Sequence, residues 1–144
     1  MAARGCDVRS EPGDDYDRVA HAVIGAAIEV HRHLGPGYSE AVYGNALEIE
    51  LNARDIPFER CKPVEVFYKG QTVGKGEVDF YVGGILVVEL KTVDAFAPIH
   101  IAQVISYLKA PGRPLGLLIN FKVPMVKDGV MRVAYSTDLS SDSE

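Results

Sequence analysis

Between residues 17 and 34, apolar side chains fall at Val19, Val23, Ala26, Ala27, Val30 and Leu34. Steps of three and four place them on one stripe, which predicts an amphipathic helix. Gly35-Pro36-Gly37 ends it, because Gly suits the left-handed position after a helix and Pro cannot continue one. A second helix is predicted from Ser39, a good N-cap, to residue 54, with Tyr43, Ala46, Leu47 and Leu51 on one face.

The pattern then changes to strands. Residues 64–68 form one, Lys69-Gly70 a hairpin turn, and residues 72–82 a second strand with Gly74 and Gly76 as candidate bulge sites. After a turn at Gly83-Gly84, residues 85–91 make an almost continuous apolar run, the pattern of a strand covered on both faces. Pro98 opens a third helix to residue 110, which stops before Pro111-Gly112. Residues 115–121 form another buried strand, and residues 130–135 a last one after Asp128-Gly129. The order ααβββαβ(β) predicts an α/β fold, a mixed central sheet flanked by helices, with a right-handed β–helix–β crossover.

A chain of 144 residues, 47% hydrophobic and 24% charged, fits one ordinary globular domain. We assign that domain to residues 17–136, between mobile ends at 1–16 and 137–144. No apolar run is long enough to span a membrane, and the charged first residues do not resemble a secretory signal. Cys6 and Cys61 alone build neither a disulfide framework nor a zinc site, so a reducing, cytoplasmic compartment is expected. The net charge of −5 sits in the ends. Residues 1–17 carry two arginines against five acids and residues 138–144 three acids, leaving 13 basic and 12 acidic residues between. A nearly neutral body neither demands nor excludes a polyanionic partner.

One charge stands inside the most apolar strand. Ile85, Val87, Glu89 and Lys91 share a strand face, and an unpaired carboxylate in a sheet core is costly, so Glu89 needs a cation. An ordinary Glu89–Lys91 ion pair at a strand end is the plain solution. Asp79 lies on the neighbouring strand, Glu40 in the first turn of the second helix, and Gln103 and Tyr107 one turn apart on the third. Converging carboxylates repel by about 4 kcal/mol per pair at ~4 Å and an effective dielectric of ~20. A hard divalent cation, Mg²⁺ or Mn²⁺, converts that repulsion into binding. Each residue also has a purely structural explanation: Glu40 suits a helix dipole, Gln103 and Tyr107 suit a core edge, and Asp79 suits a solvated turn.

Asp79 with Glu89-Leu90-Lys91 resembles the PD-(D/E)XK nuclease signature, with Val78 in the place of its proline. Gly37-Tyr38-Ser39-Glu40-Ala41-Val42-Tyr43 is similar to the motif of the GxxExxY proteins, a bacterial family within that superfamily. Gln103 with Tyr107 resembles the QxxxY element of RecB-type and Cas4-like nucleases. The resemblance implies a restriction-endonuclease-like core that hydrolyses phosphodiester bonds of DNA. In it Asp79, Glu89, Glu40 and the Leu90 carbonyl would hold Mg²⁺ or Mn²⁺. Lys91 would steady the attacking water or the charge on phosphorus, and Gln103 and Tyr107 would brace the site or touch nucleic acid.

The metal reading makes a geometric demand. An ideal two-residue turn at Gly83-Gly84 pairs Asp79 with Val88 and turns its side chain away from Glu89. A three-residue turn or a bulge is therefore required. Two rival readings remain open: a non-catalytic module of the same fold that binds nucleic acid or protein, and a homo-oligomeric assembly protein. Other candidates are weak. Gly70 to Lys75 is one residue short of a phosphate loop, Gly37-Tyr38-Ser39 follows a helix where a nucleophile elbow needs a strand, and His31 and His33 point apart. His100, one turn before Gln103, could reach the site, but a surface position is expected.

Overall fold

A computed structural model describes residues 12–136. The first helix, α1 (Pro12–Leu34), begins five residues before the sequence pattern suggested. Proline is favoured in a first helical turn, Asp14 and Asp15 complement the helix dipole there, and Tyr16 is buried. The assignments of residues 1–11 and 137–144 as mobile ends lie outside the described residues. Helix α2 (Glu40–Ala53) follows the Gly35-Pro36-Gly37 break, with Ser39 at the N-cap position but no side-chain cap hydrogen bond.

Strands β1 (Phe58–Tyr68) and β2 (Gln71–Val82) form a long hairpin. Both turn residues, Lys69 and Gly70, have positive φ, as a two-residue turn matched to strand twist requires. Strand β1 starts six residues earlier than expected; Cys61, with φ of 56°, and Pro63 conceal its first half in the sequence. Strand β3 (Leu86–Lys91) leads through helix α3 (Pro98–Lys109) to β4 (Leu115–Asn120), and a 3₁₀ turn (Val126–Gly129) precedes β5 (Val130–Ala134). The sheet runs β1-β2-β3-β4-β5, with β3 and β4 parallel and every other pair antiparallel.

Alternation along the central strands makes two cores. Leu86, Val88 and Leu90 face α1 and α2 together with Leu117 and Ile119, whereas Val87 and Leu118 face Val104 and Leu108 of α3. Burial of each such side chain stabilises the fold by about 1.5–3 kcal/mol, which explains why the β3 and β4 runs are apolar at every step. Glu89 is the exception on the α3 side, and Asn120 closes β4.

Candidate active site

The turn between β2 and β3 has three residues. Val82 pairs with Leu86 and Phe80 with Val88, and Gly83 and Gly84 both adopt left-handed φ. The register therefore brings Asp79 level with Glu89, the offset that convergence of the two acids requires. At that level the ladders give way. Paired positions of β2 and β3 run only from Val82 to Phe80, and the β1–β2 pairs skip Cys61 and Asp79. Side chains fill the gap: the Asp79 N–H donates to Glu89 Oε2 at 2.8 Å, and the Leu90 N–H donates to Asp79 Oδ2 at 2.8 Å. In a strand the N–H and C=O of one residue point the same way, so the Leu90 carbonyl also faces the Asp79 side.

Glu89 is 3% exposed. Burial, then the Asp79 carboxylate beside it, push its pKa up to about 8, and the Asp79 N–H and Lys91 only partly offset them. Asp79 is raised as well, chiefly by desolvation and against the Leu90 N–H and Lys91. The ordinary Glu89–Lys91 ion pair does not form. Lys91 Nζ instead donates to Gln103 Oε1 at 2.9 Å, and Gln103 Nε2 reaches the Tyr107 hydroxyl at 3.4 Å. Helix α3 thus aims the ammonium group.

Glu40 stands across the cleft at the first turn of α2. Its carboxyl is raised by burial and by Asp79, and lowered by Lys91, His100 and the Thr92 backbone N–H. Helix α2 packs against the opposite sheet face from α3, so Glu40 reaches the site around the open end of β3. A cleft of about 300 Å³ joins Glu40, Gly44, Arg60, Cys61, Asp79 and Leu90. Among the described residues no three of His, Cys, Asp and Glu close into a ready-made metal cage. The structure brings Asp79 and Glu89 into direct contact through Asp79's backbone N–H and leaves Glu40 within electrostatic reach.

Several residues have positioning roles that the sequence reading did not assign. The buried Tyr43 hydroxyl donates to the Gly35 carbonyl and accepts the Gly37 N–H at 3.0 Å and the Tyr38 N–H at 3.3 Å. Its ring stacks on Phe121 with centroids 4.4 Å apart. The Gly37…Glu40…Tyr43 spacing is thereby explained: Tyr43 ties down the loop that delivers Glu40. Asn120 accepts the Val93 and Lys122 N–H groups and donates to the Val93 carbonyl, fixing the segment after Lys91. Its signals in the sequence were a polar residue ending an apolar run and its place in the block Gly116-Leu117-Leu118-Ile119-Asn120-Phe121, which is similar to one of the GxxExxY proteins. Arg60 donates to Asn45 and Glu48 and lies over the Phe80 ring, facing the same cleft. His100 is half-buried rather than on the surface, because its Nδ1 accepts the Ala97 N–H and caps α3.

These features define a nuclease-like fold whose acidic cleft opens where the central strands part. The sequence model of the PD-(D/E)XK nuclease superfamily matches residues 17–133, and the chain belongs to that superfamily. Its members generally use divalent metal ions. No curated protein matches the chain. Among solved structures, that titled "Crystal structure of SSO0001" is 18% identical with a TM-score of 0.53, covering 70% of this chain and 52% of its own; the likeness is one of fold. An alkaline exonuclease from Laribacter hongkongensis is 15% identical with a TM-score of 0.45, covering 81% of this chain and 71% of its own. The chain therefore spans about half the length of the first of these. Among the described residues no helix is long and apolar enough to cross a membrane.

Proposed function

We propose that the protein is a divalent-metal-dependent nuclease of the GxxExxY group that hydrolyses phosphodiester bonds of DNA. Asp79, Glu89, Glu40 and the Leu90 carbonyl would hold Mg²⁺ or Mn²⁺. The donor set fits such an ion, since every ligand atom is a hard oxygen. The observation that carries the reading is the incompletely compensated acid pair. Asp79 and Glu89 interlock in a gap of the sheet, Glu89 is pushed up to about 8, and the nearest ammonium group is turned to Gln103.

When loaded, the site has an activated water and a polarised phosphodiester oxygen. Lys91, aimed by Gln103 with Tyr107 behind it, stabilises negative charge building on phosphorus. Glu40 faces the cleft from the first turn of α2.

The test is digestion of a mixed single- and double-stranded DNA substrate by the purified chain. We expect cleavage with Mn²⁺ or Mg²⁺, none with EDTA, and a loss on the order of 10²–10³-fold in folded Glu89→Gln and Lys91→Ala. Equal activity in wild type and Glu89→Gln would remove Glu89 from the reaction. One observation favours a second reading, a non-catalytic module of the same fold. Asp79 and Glu89 each already have an oxygen bound to a backbone N–H, and no closed cage exists among the described residues. That module would bind DNA without cutting it under any metal.

A further inference from the structure

Strands β1 and β2 have 11 and 12 residues, but β3 pairs only with Phe80, Tyr81 and Val82 of β2. The distal part of the hairpin therefore projects beyond the rest of the sheet as a two-stranded arm. Two-stranded ribbons have no core of their own. This one is attached where Val64 is buried and where Tyr107 of α3 lies against Gly76, so closely that an added Cβ would stand 2.6 Å from the ring. Beyond that point the arm exposes large apolar side chains, with Phe67 61% and Tyr68 64% accessible beside exposed Val66 and Val73.

Three facts indicate what covers them. The first is charge: Lys69 Nζ lies 5.5 Å from the Tyr68 ring centroid and Lys109 walls the same groove as Phe67, while Lys75 stands opposite Glu65 in the β1–β2 register. Secondly, the edge is guarded. The β1–β2 register shifts between Val66 and Phe67, a bulge within the arm that opposes strand-to-strand pairing with another copy. Continuity is the third. A groove of about 460 Å³ between β1 and α3 is walled by Phe67, Tyr107 and Lys109, and Tyr107 belongs to the chain of contacts that aims Lys91.

We propose that the arm and α3 form a track for single-stranded nucleic acid, with bases stacking on Phe67 and, on the other face of the ribbon at its tip, on Tyr68, and phosphates facing Lys69 and Lys109. Exposed aromatic rings interleaved with cations are the pattern that binds unpaired strands, since every base has a face to stack and every linkage a charge. The track rests on the nuclease reading only for its destination: it would lead a flanking single strand toward the Asp79 and Glu89 carboxyl groups.

The experiment uses the full chain in EDTA and a fluorescent single strand of about 12 nucleotides, with the matching duplex for comparison. Wild type is expected to prefer the single strand, with affinity falling as salt rises. Phe67→Ala/Tyr68→Ala, a surface change far from the acids, should weaken it by about tenfold or more. The chain has no tryptophan, so Phe67→Trp adds a single reporter whose emission should be quenched on binding. Unchanged affinity in the double alanine variant, or no quenching, overturns the track even if DNA is cleaved. Loss of binding in that variant upholds the track even if no metal supports cleavage, in which case the nuclease reading falls alone. A wild-type dimer dispersed by the same variant would make the surface an interface between copies and overturn the proposal.

Discussion

Glu89 shows how one side chain records a site. Its carboxyl pKa is raised from an ordinary value of 4.5 to about 8, by burial first and by Asp79 second. Between those two pH values the folded protein keeps a proton that the unfolded chain has released, so this residue's contribution to stability falls as pH rises and levels off above about 8. Asp79 and Glu40, also raised, act in the same direction. Glu89→Gln can still accept the Asp79 N–H and carries no charge. We expect it to be more stable than wild type at pH ~8, by about 2–4 kcal/mol, and nearly equal at pH ~4. Urea denaturation at the two pH values measures this; identical pH profiles for the two proteins would show that Glu89 is not the strained acid. Its position in an apolar run made Glu89 conspicuous in the sequence. The reciprocal bonds with Asp79 and Leu90 were not legible there, because they depend on where two strands separate.

At the level of elements, the loop between α1 and α2 and the segment after β3 place Glu40 and Lys91, and each is tied by a residue outside the acidic set. Tyr43 satisfies three backbone groups with one hydroxyl. Tyr43→Phe preserves the stacking on Phe121 and leaves those groups without that partner, at a cost of about 1–3 kcal/mol. If Glu40 acts as proposed, the same variant should lower kcat for DNA cleavage more than it raises KM. Thermal denaturation and steady-state kinetics check the two halves separately, and full activity at reduced stability would deny the loop a role in aiming Glu40. The helical stripe disclosed that Tyr43 is buried. What its hydroxyl does was hidden, since Gly35, Gly37 and Tyr38 become its partners only after α2 turns back on α1.

For the molecule as a whole, two cores on opposite faces of one sheet hold α2 and α3 apart, and the acidic cleft opens between α2 and the parted strands β1, β2 and β3. A cation bound there binds the native state alone, since Asp79, Glu89 and Glu40 come from separate segments. It should therefore raise Tm by mass action, with about 2.7 kcal/mol of added stability at 100 times Kd. Mn²⁺ titrated in a thermal-shift assay is expected to stabilise wild type and leave Asp79→Asn unmoved. An equal shift in both proteins would assign the binding elsewhere, such as to surface carboxylates.

The apolar periods, the glycine and proline breaks and the misplaced acid determined the helix and strand order, the buried central strands and the identity of the acids, because these features depend on neighbours within a few positions. The length of β1, the parting of the strands at Asp79, the turning of Lys91 toward Gln103 and the projecting arm were decided by tertiary structure. Each depends on which distant backbone groups are left unpaired once the sheet has formed, and no local pattern carries that information.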